Sequence, residues 1–348
     1  MRDNRDLQLD AKSMICPRLA ELPSPPSGKT GWPWTEESRR LEDTASDGQS
    51  RPRISVITPS FNQGRFIEET IRSILLQGYP DLEYFILDGG STDGSVEIIK
   101  KYSSWLSYWV SKPDDGQSDA INRGLRMGTG SFATWINSDD MLCRNALIEQ
   151  GNRIELHSNA VYVGICSYID ENSKMLSVHQ GKVHSLEDLV CLRSVWRSGG
   201  YIVQPEVLFP REFALSVGGL NPDNDRTMDY ELWGKLFLAG ATFHYTDVHV
   251  GMFREHENQK THDMFGQTRS LIDTARKLAL RADYLSEVTR HEIIDDLDRY
   301  AIEYEKNHWK TSGRLAKVGL PRPLVLWLRH LREFVRKPTR FTAGGEPL

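Results

Sequence analysis

No two of the four cysteines, Cys16, Cys143, Cys166 and Cys191, stand in a C-x-x-C spacing. A zinc knuckle and a dense disulfide framework are thereby excluded, and the four read as reduced thiols of a cytoplasmic protein. No run of about 18 apolar residues occurs, so no transmembrane helix is expected. The opening MRDNRDLQLD has no apolar core, so a secretory signal is not expected either. Excess positive charge is also lacking. The formal net charge is -5, without the basic field of a general nucleic-acid binder, and no nucleic-acid partner is expected. The chain holds neither a G-x-x-x-x-G-K-[ST] phosphate loop nor a G-x-G-x-x-G dinucleotide fingerprint, and no repeat of solenoid period.

What is present is an ordinary globular balance: 348 residues, 39% hydrophobic and 26% charged, ample for a sizeable core. Residues 1–52 read as an extension. LPSPPSGKTGWPW and EDTASDGQSRPR offer too little apolar surface to offset the entropy of ordering, so a mostly extended arm is expected. Trp32 and Trp34 are the residues in it able to dock on a partner or on the main body.

The texture changes at residue 53. ISVITP is a β-rich run, RFIEETIRSILLQ carries apolar residues at helical spacing, LEYFILDGG is a second strand, and TDGSVEIIKKY opens on the capping residues Thr92 and Asp93. Strand, helix, strand, helix at these lengths predicts an α/β fold with a parallel sheet built from right-handed crossovers. Polar residues gather where strands end: Thr58, Pro59 and Ser60, then Asp88, then Asn137, Ser138, Asp139 and Asp140 closing the run that begins FATWI. Ligands of open α/β sheets sit outside the carboxyl ends of the strands. A second half, to about residue 262, sets the runs AVYVGIC and ATFHYTDVHVGMFR around one helix, TMDYELWGKLFLAG.

Hard cations such as Mg²⁺ or Mn²⁺ take oxygen ligands, commonly one or two carboxylates plus substrate phosphates. Asp139 suits that role, with Asp140 a second ligand or an anchor, while a strand-end Asp also suits plain capping of a following helix. Asp229 opens a helix, where the dipole favours a carboxylate, and is also placed to act as a general base. His256 and His262, six apart, do not form an H-E-x-x-H zinc pattern, and a lone His is more often structural than a ligand.

Taken together, ISVITPSFNQGRFIEETIRSILLQGYPDLEYFILDGGSTDGS, DDGQSDAINRGLRMGTGSFATWINSDD, QPEVLFPREFALSVGGLNPDNDRTMDYELWGKL and FREHENQKT resemble the family 2 glycosyltransferases of GT-A fold, over roughly residues 53–262. The resemblance implies a mixed, mostly parallel, Rossmann-like central sheet flanked by helices. It implies an inverting, metal-dependent transfer of a sugar from a nucleoside-diphosphate donor, UDP-linked by family analogy, to a saccharide or lipid-linked acceptor in polysaccharide or glycan assembly. Carried over by position, Thr58, Pro59 and Ser60 line the nucleotide pocket, Asp88 meets the base or ribose, and Gln117, Asp119 and Ser138 lie near the diphosphate or donor sugar. Asp139 and His256 hold the Mn²⁺ or Mg²⁺, and Asp229 is the catalytic base. Two departures stand out: Asn137 replaces the first acid of the D-x-D motif, and Met228 replaces the Glu that usually precedes the base. The competing reading is a non-catalytic nucleotide-sugar or glycan binder on the same fold. A sugar-phosphate nucleotidyltransferase is disfavoured because TPSFNQG has no basic residue before Arg65.

Residues 263–348 read as a helical C-terminal extension. Within 309–341 nine Lys or Arg face one acid, Glu333, a net charge of +8. Leu324, Trp327, Leu328, Leu331, Phe334 and Val335 fall on one helical face. Packing of that face on the catalytic domain is expected ahead of the alternative, an interfacial helix on anionic lipid at the inner face of a membrane.

Overall fold

The computed structural model describes residues 16–42, 51–154, 159–260 and 263–316. These fall into two compact units, one of residues 1–178 and 202–259 and the other of 179–201 and 260–348.

The first unit is built on a mixed sheet. Its strands are β1 (Ile54–Ser60), β2 (Leu82–Asp88), β3 (Tyr108–Ser111), β4 (Phe132–Trp135), β5 (Met141–Leu142), β6 (Ala160–Ile169), β7 (Met175–His179), β8 (Val207–Pro210) and β9 (Thr242–Arg254). The order across it is β3-β2-β1-β4-β8-β6-β9-β5, with β7 paired to β6. β3, β2, β1 and β4 are parallel. β8 is antiparallel to both β4 and β6, so β6 runs the same way as β1. β9 is parallel to β6 and β5 antiparallel to β9. The carboxyl ends of β1, β2, β4 and β9 therefore all reach one edge.

Every residue of β1 and β2 is buried, the pattern of strands covered on both faces. The helices of this unit are α1 (Ile67–Leu75), α2 (Ser95–Tyr102), α3 (Gln117–Met127), α4 (Ala146–Gly151), and, after a break in chain order, α6 (Arg211–Ser216) and α7 (Met228–Leu238). α2 starts one residue later than the capping signal suggests. Gly94 takes the cap position at φ +95, and Asp93 instead accepts from Ser95 N (3.1 Å) and Gly64 N (2.8 Å). At Gly124 of α3 a side chain would meet Ile57 Cγ1 at 2.6 Å, so only glycine lets this helix lie so close on β1.

The extended arm expected of residues 1–52 is not what the described part shows. Residues 16–42 pack on the sheet unit. Trp34 is 4% exposed and Arg72, a fully buried residue of α1, donates to the carbonyls of Pro23, Pro33 and Trp34. The entropy cost is offset by buried aromatic surface and by carbonyls that a buried guanidinium satisfies.

The second unit holds α5 (Leu186–Val190), α8 (Met264–Arg281) and α9 (Glu287–Ala316), with a loosely wound stretch over Leu192–Gly200. Arg193 pairs with Asp296 (3.8 Å) and Glu303 (3.0 Å) on α9. Residues 179–201 thus belong with the C-terminal helices, although the sequence pattern places them inside the 53–262 region. All four cysteines are free thiols. No helix among the described residues is long and apolar enough to cross a membrane. The basic face at 324–335 and His262 lie outside the described residues.

Candidate active site

The site grows from the strand ends. β1 and β2 are in register so that Ser60 lies opposite Asp88, and Asp88 lies opposite Ser111 of β3. β4 stops beside Ile57, and Ile136 N still donates to Ile57 O (2.9 Å) before the chain leaves the sheet. It then turns through Asn137, Ser138, Asp139 and Asp140 and returns as β5. The paired carboxylates sit at the chain reversal between β4 and β5, Asp140 buried and Asp139 partly exposed.

The two carboxylates have separate tasks. Asp140 is 1% exposed and accepts from Arg254 N (2.9 Å) and Asn137 Nδ2 (3.1 Å). Burial, and then the neighbouring Asp139 charge, push its carboxyl well above the usual range. It anchors the turn. Asp139 keeps a partly exposed side chain, and its Oδ2 lies 3.0 Å from Nε2 of His256 and 3.4 Å from Nε2 of Gln63. Because β9 runs parallel to β1, its continuation delivers His256 to the same edge.

Beneath this pair lies Arg254, the last residue of β9 and wholly buried. Its Nε donates to Asp139 O (2.7 Å), and Nη2 to Glu69 Oε2 (2.8 Å) on α1. Phe66 lies against both the guanidinium (4.8 Å) and the His256 ring (4.8 Å between centroids). Thr70 Oγ1 donates between the carbonyls of Ser138 (3.0 Å) and Asp140 (2.7 Å).

Two helix N-termini complete the edge. Gln117, the first residue of α3, donates to Asn137 Oδ1 (2.8 Å). This is the position where an acid is replaced, and the amide serves as an acceptor there. Asp119 is partly exposed in the same first turn. Ser118 Oγ donates to Sδ of Met228 (3.0 Å), so the residue in place of Glu joins α3 to α7. Asp229 follows, half-buried, and burial pushes its carboxyl above the ordinary range while nearby backbone N–H groups pull it partly back. Trp233, one turn further, stacks on Trp135 of β4 (5.8 Å) and fixes α7 to the sheet. Met228, Ser118 and Gln117 thus link the helix that carries Asp229 to Asn137, which in turn donates to Asp140 in the carboxylate turn.

On the other flank the expected donor residues are more enclosed. Thr58 has no exposed surface and shares a 3.1 Å hydrogen bond with Tyr84 OH. Pro59 is buried. Ser60 is 6% exposed, and its buried Oγ meets no partner among the described residues. Asp88 accepts from Gly90 N, Ser91 N, Ser91 Oγ and Ser111 Oγ at 3.1, 2.9, 2.5 and 2.7 Å, so it organises its own loop. Asn62, at φ +51, ties that loop to the first through Thr92 N (2.9 Å). Phe61, 62% exposed and beside Gly89, is an open aromatic ring that motif reading passes over.

Arg254, Glu69, Gln63 and Phe66 also escape motif reading; the available signal is the position of Arg254 two residues before His256. Asp139 and His256, hydrogen-bonded to each other at 3.0 Å, offer one oxygen and one nitrogen donor that would suit a hard divalent cation. Among the described residues no group of three or more His, Cys, Asp or Glu converges on a metal position.

Comparison with known proteins bears on the family and the fold. The family model described as Glycosyl transferase family 2 matches residues 55–209. An uncharacterized glycosyltransferase of Rickettsia typhi is 26% identical over 279 residues, 76% of this chain and 84% of its own length. The putative teichuronic acid biosynthesis glycosyltransferase TuaG of Bacillus subtilis is 33% identical over 103 residues, 29% of this chain and 41% of TuaG. Among solved structures, S. aureus TarS 1–349 in complex with UDP-GlcNAc superposes with a TM-score of 0.55 at 18% identity, covering 70% of this chain and 71% of that one. Another TarS 1–349 structure gives 0.54 at 20% identity, covering 82% and 81%. Residues 55–209 of this chain are a family 2 glycosyltransferase domain, and the fold is GT-A.

Proposed function

We propose that this protein is an inverting, metal-dependent glycosyltransferase that moves a sugar from a nucleoside diphosphate, uridine-linked, to a hydroxyl of a saccharide or lipid-linked acceptor during glycan assembly. The observation that carries the reading is the meeting of Asp139 and His256, 3.0 Å apart at the ligand-binding edge of the sheet. The uridine rests on TarS, whose solved structures hold UDP-GlcNAc and UDP.

Asp139 and His256 would hold a Mn²⁺ or Mg²⁺ ion, with further positions left to diphosphate oxygens and water. Such an ion, when bound, offsets the charge that gathers on a leaving diphosphate. Gln117 and Asn137 border the donor from the α3 side, and Ser60 Oγ, Phe61 and the Asp88 loop border it from the β1–β2 side. Asp229 takes the proton of the acceptor hydroxyl as that oxygen bonds to the anomeric carbon and the bond to the diphosphate breaks. Its raised carboxyl makes it a stronger base than an exposed Asp. One displacement inverts the configuration, and no covalent nucleophile is needed.

Calorimetric binding of UDP, GDP and dTDP, each in Mn²⁺ and in EDTA, tests the donor site, and transfer by wild type and Asp229→Asn tests the base. The reading requires binding of one nucleotide that EDTA removes, and transfer lost in Asp229→Asn with binding retained. Absence of nucleotide binding under every metal condition sinks it. Binding without transfer to any acceptor glycan would support the non-catalytic binder instead.

A further inference from the structure

We propose that the N-terminal arm is a working part of the catalytic centre, with Trp34 and Trp32 as positioning residues that hold the Asp139 turn from two sides. The inference rests on the assignment of Asp139 to the donor site made above.

The first route is a buried relay. Trp34 Nε1 donates to Glu69 Oε1 (2.9 Å), and the other oxygen of Glu69 takes Arg254 Nη2 (2.8 Å). Arg254 Nε then donates to the carbonyl of Asp139 (2.7 Å), while its backbone N–H holds Asp140. Trp34 is 4% exposed, Glu69 6% and Arg254 0%, so no water competes for these bonds and each fixes the rotamer of the next. The second route is direct. Trp32 Nε1 donates to the carbonyl of Leu142 (2.9 Å) on β5, two residues beyond the carboxylate pair. The arm therefore grips the reversal that carries Asp139 at its outgoing strand and, through Arg254, at its tip.

Packing alone does not account for this arrangement. Burying an indole ring needs no hydrogen bond to a carboxylate that already neutralises an arginine, and Arg72 separately clamps the arm through backbone carbonyls. Charged groups beneath a functional residue, satisfied on every side, are the usual means of holding it in one geometry.

Amide hydrogen exchange across residues 137–142 of the full chain, without metal or nucleotide, tests the relay directly in Trp34→Phe. That change keeps an aromatic ring and removes the N–H. Arg39→Ala is the control, since its pair with Glu149 (2.5 Å) lies in the same arm but off the relay. We expect exchange at 137–142 to quicken by about tenfold in Trp34→Phe and to stay at the wild-type rate in Arg39→Ala. Transfer should fall by about tenfold in kcat, with KM for the donor nearly unchanged. Trp32→Phe should quicken exchange mainly at 141–142. Wild-type exchange over 137–142 in Trp34→Phe and Trp32→Phe alike overturns the proposal. If the wild-type chain transfers no sugar, the functional reading fails while the exchange result still decides whether the arm holds the turn.

Discussion

Nε2 of His256 lies 3.0 Å from Oδ2 of Asp139, across 117 residues of chain. Topology produces the pair: β9 runs parallel to β1 at the far side of two antiparallel joins, so its end reaches the edge where β4 ends. If both side chains hold one ion, their removals should not add. Asp139→Asn and His256→Ala should each cut transfer by about 100-fold or more, the several kcal/mol that a bound metal supplies. The double variant should be no worse than the weaker single. Initial rates against Mn²⁺ concentration check this, and losses that multiply in the double variant would separate the two residues.

Arg254 and Glu69 form an ion pair with side chains 0% and 7% exposed. Removing one member of such a pair strands the other charge in a poorly solvated place. Arg254→Met should therefore destabilise the fold by about 3–5 kcal/mol, read as a lower denaturant midpoint. Arg254→Met with Glu69→Leu should recover a large part of that loss, because two apolar side chains leave no charge to solvate. The recovered fold should still transfer poorly, since Asp139 has lost the donor to its carbonyl.

Thr58 stands where the family places a nucleotide contact, yet its hydroxyl faces Tyr84. Thr58→Val keeps the shape and leaves Tyr84 OH without that partner. The cost should be about 1–2 kcal/mol of stability, with the affinity for nucleotide in Mn²⁺ unchanged. A drop in nucleotide affinity at equal stability would show that Thr58 acts on the ligand.

The strand ends were legible in the sequence because buried parallel strands are continuous apolar runs, and the polar residues that close them stand out. The roles proposed for Asp139, Asp229 and His256 rest on motif order, and the fold brings Asp139 and His256 together. Less was legible where both faces of a strand are buried. All seven residues of β1 are covered, so alternation cannot say that Thr58 points inward. Arg254 and Glu69 were illegible for another reason. Each belongs to a type that usually meets solvent, and they meet across 185 residues. Residues 16–42 pack although their composition offers little apolar surface, because a few contacts of Trp32, Trp34 and Arg72 hold them, the docking that the two tryptophans made available. Residues 179–201 carry no pattern that assigns them to the C-terminal helices rather than to the sheet.

Asp229 offers a test in which pH decides. Burial raises its carboxyl above the ordinary range, so the folded protein holds that proton more tightly than the unfolded chain does. The charged form therefore costs stability, a cost absent below the unfolded value of about 4 and fully present above the raised folded value. Asp229→Asn, which cannot ionise, should melt at a higher temperature than wild type at neutral pH, and the gap should close as pH falls toward about 4. Catalysis should move the opposite way. A base works only when deprotonated, so the acid limb of kcat should lie above the ordinary carboxylate range in wild type. Transfer by Asp229→Asn should be about 10²–10⁴-fold slower across the profile. Melting curves and rates over the same pH series check both together. A variant that is less stable at neutral pH would overturn the burial-raised carboxyl, and a kcat profile flat through the acid range would remove Asp229 from the role of base.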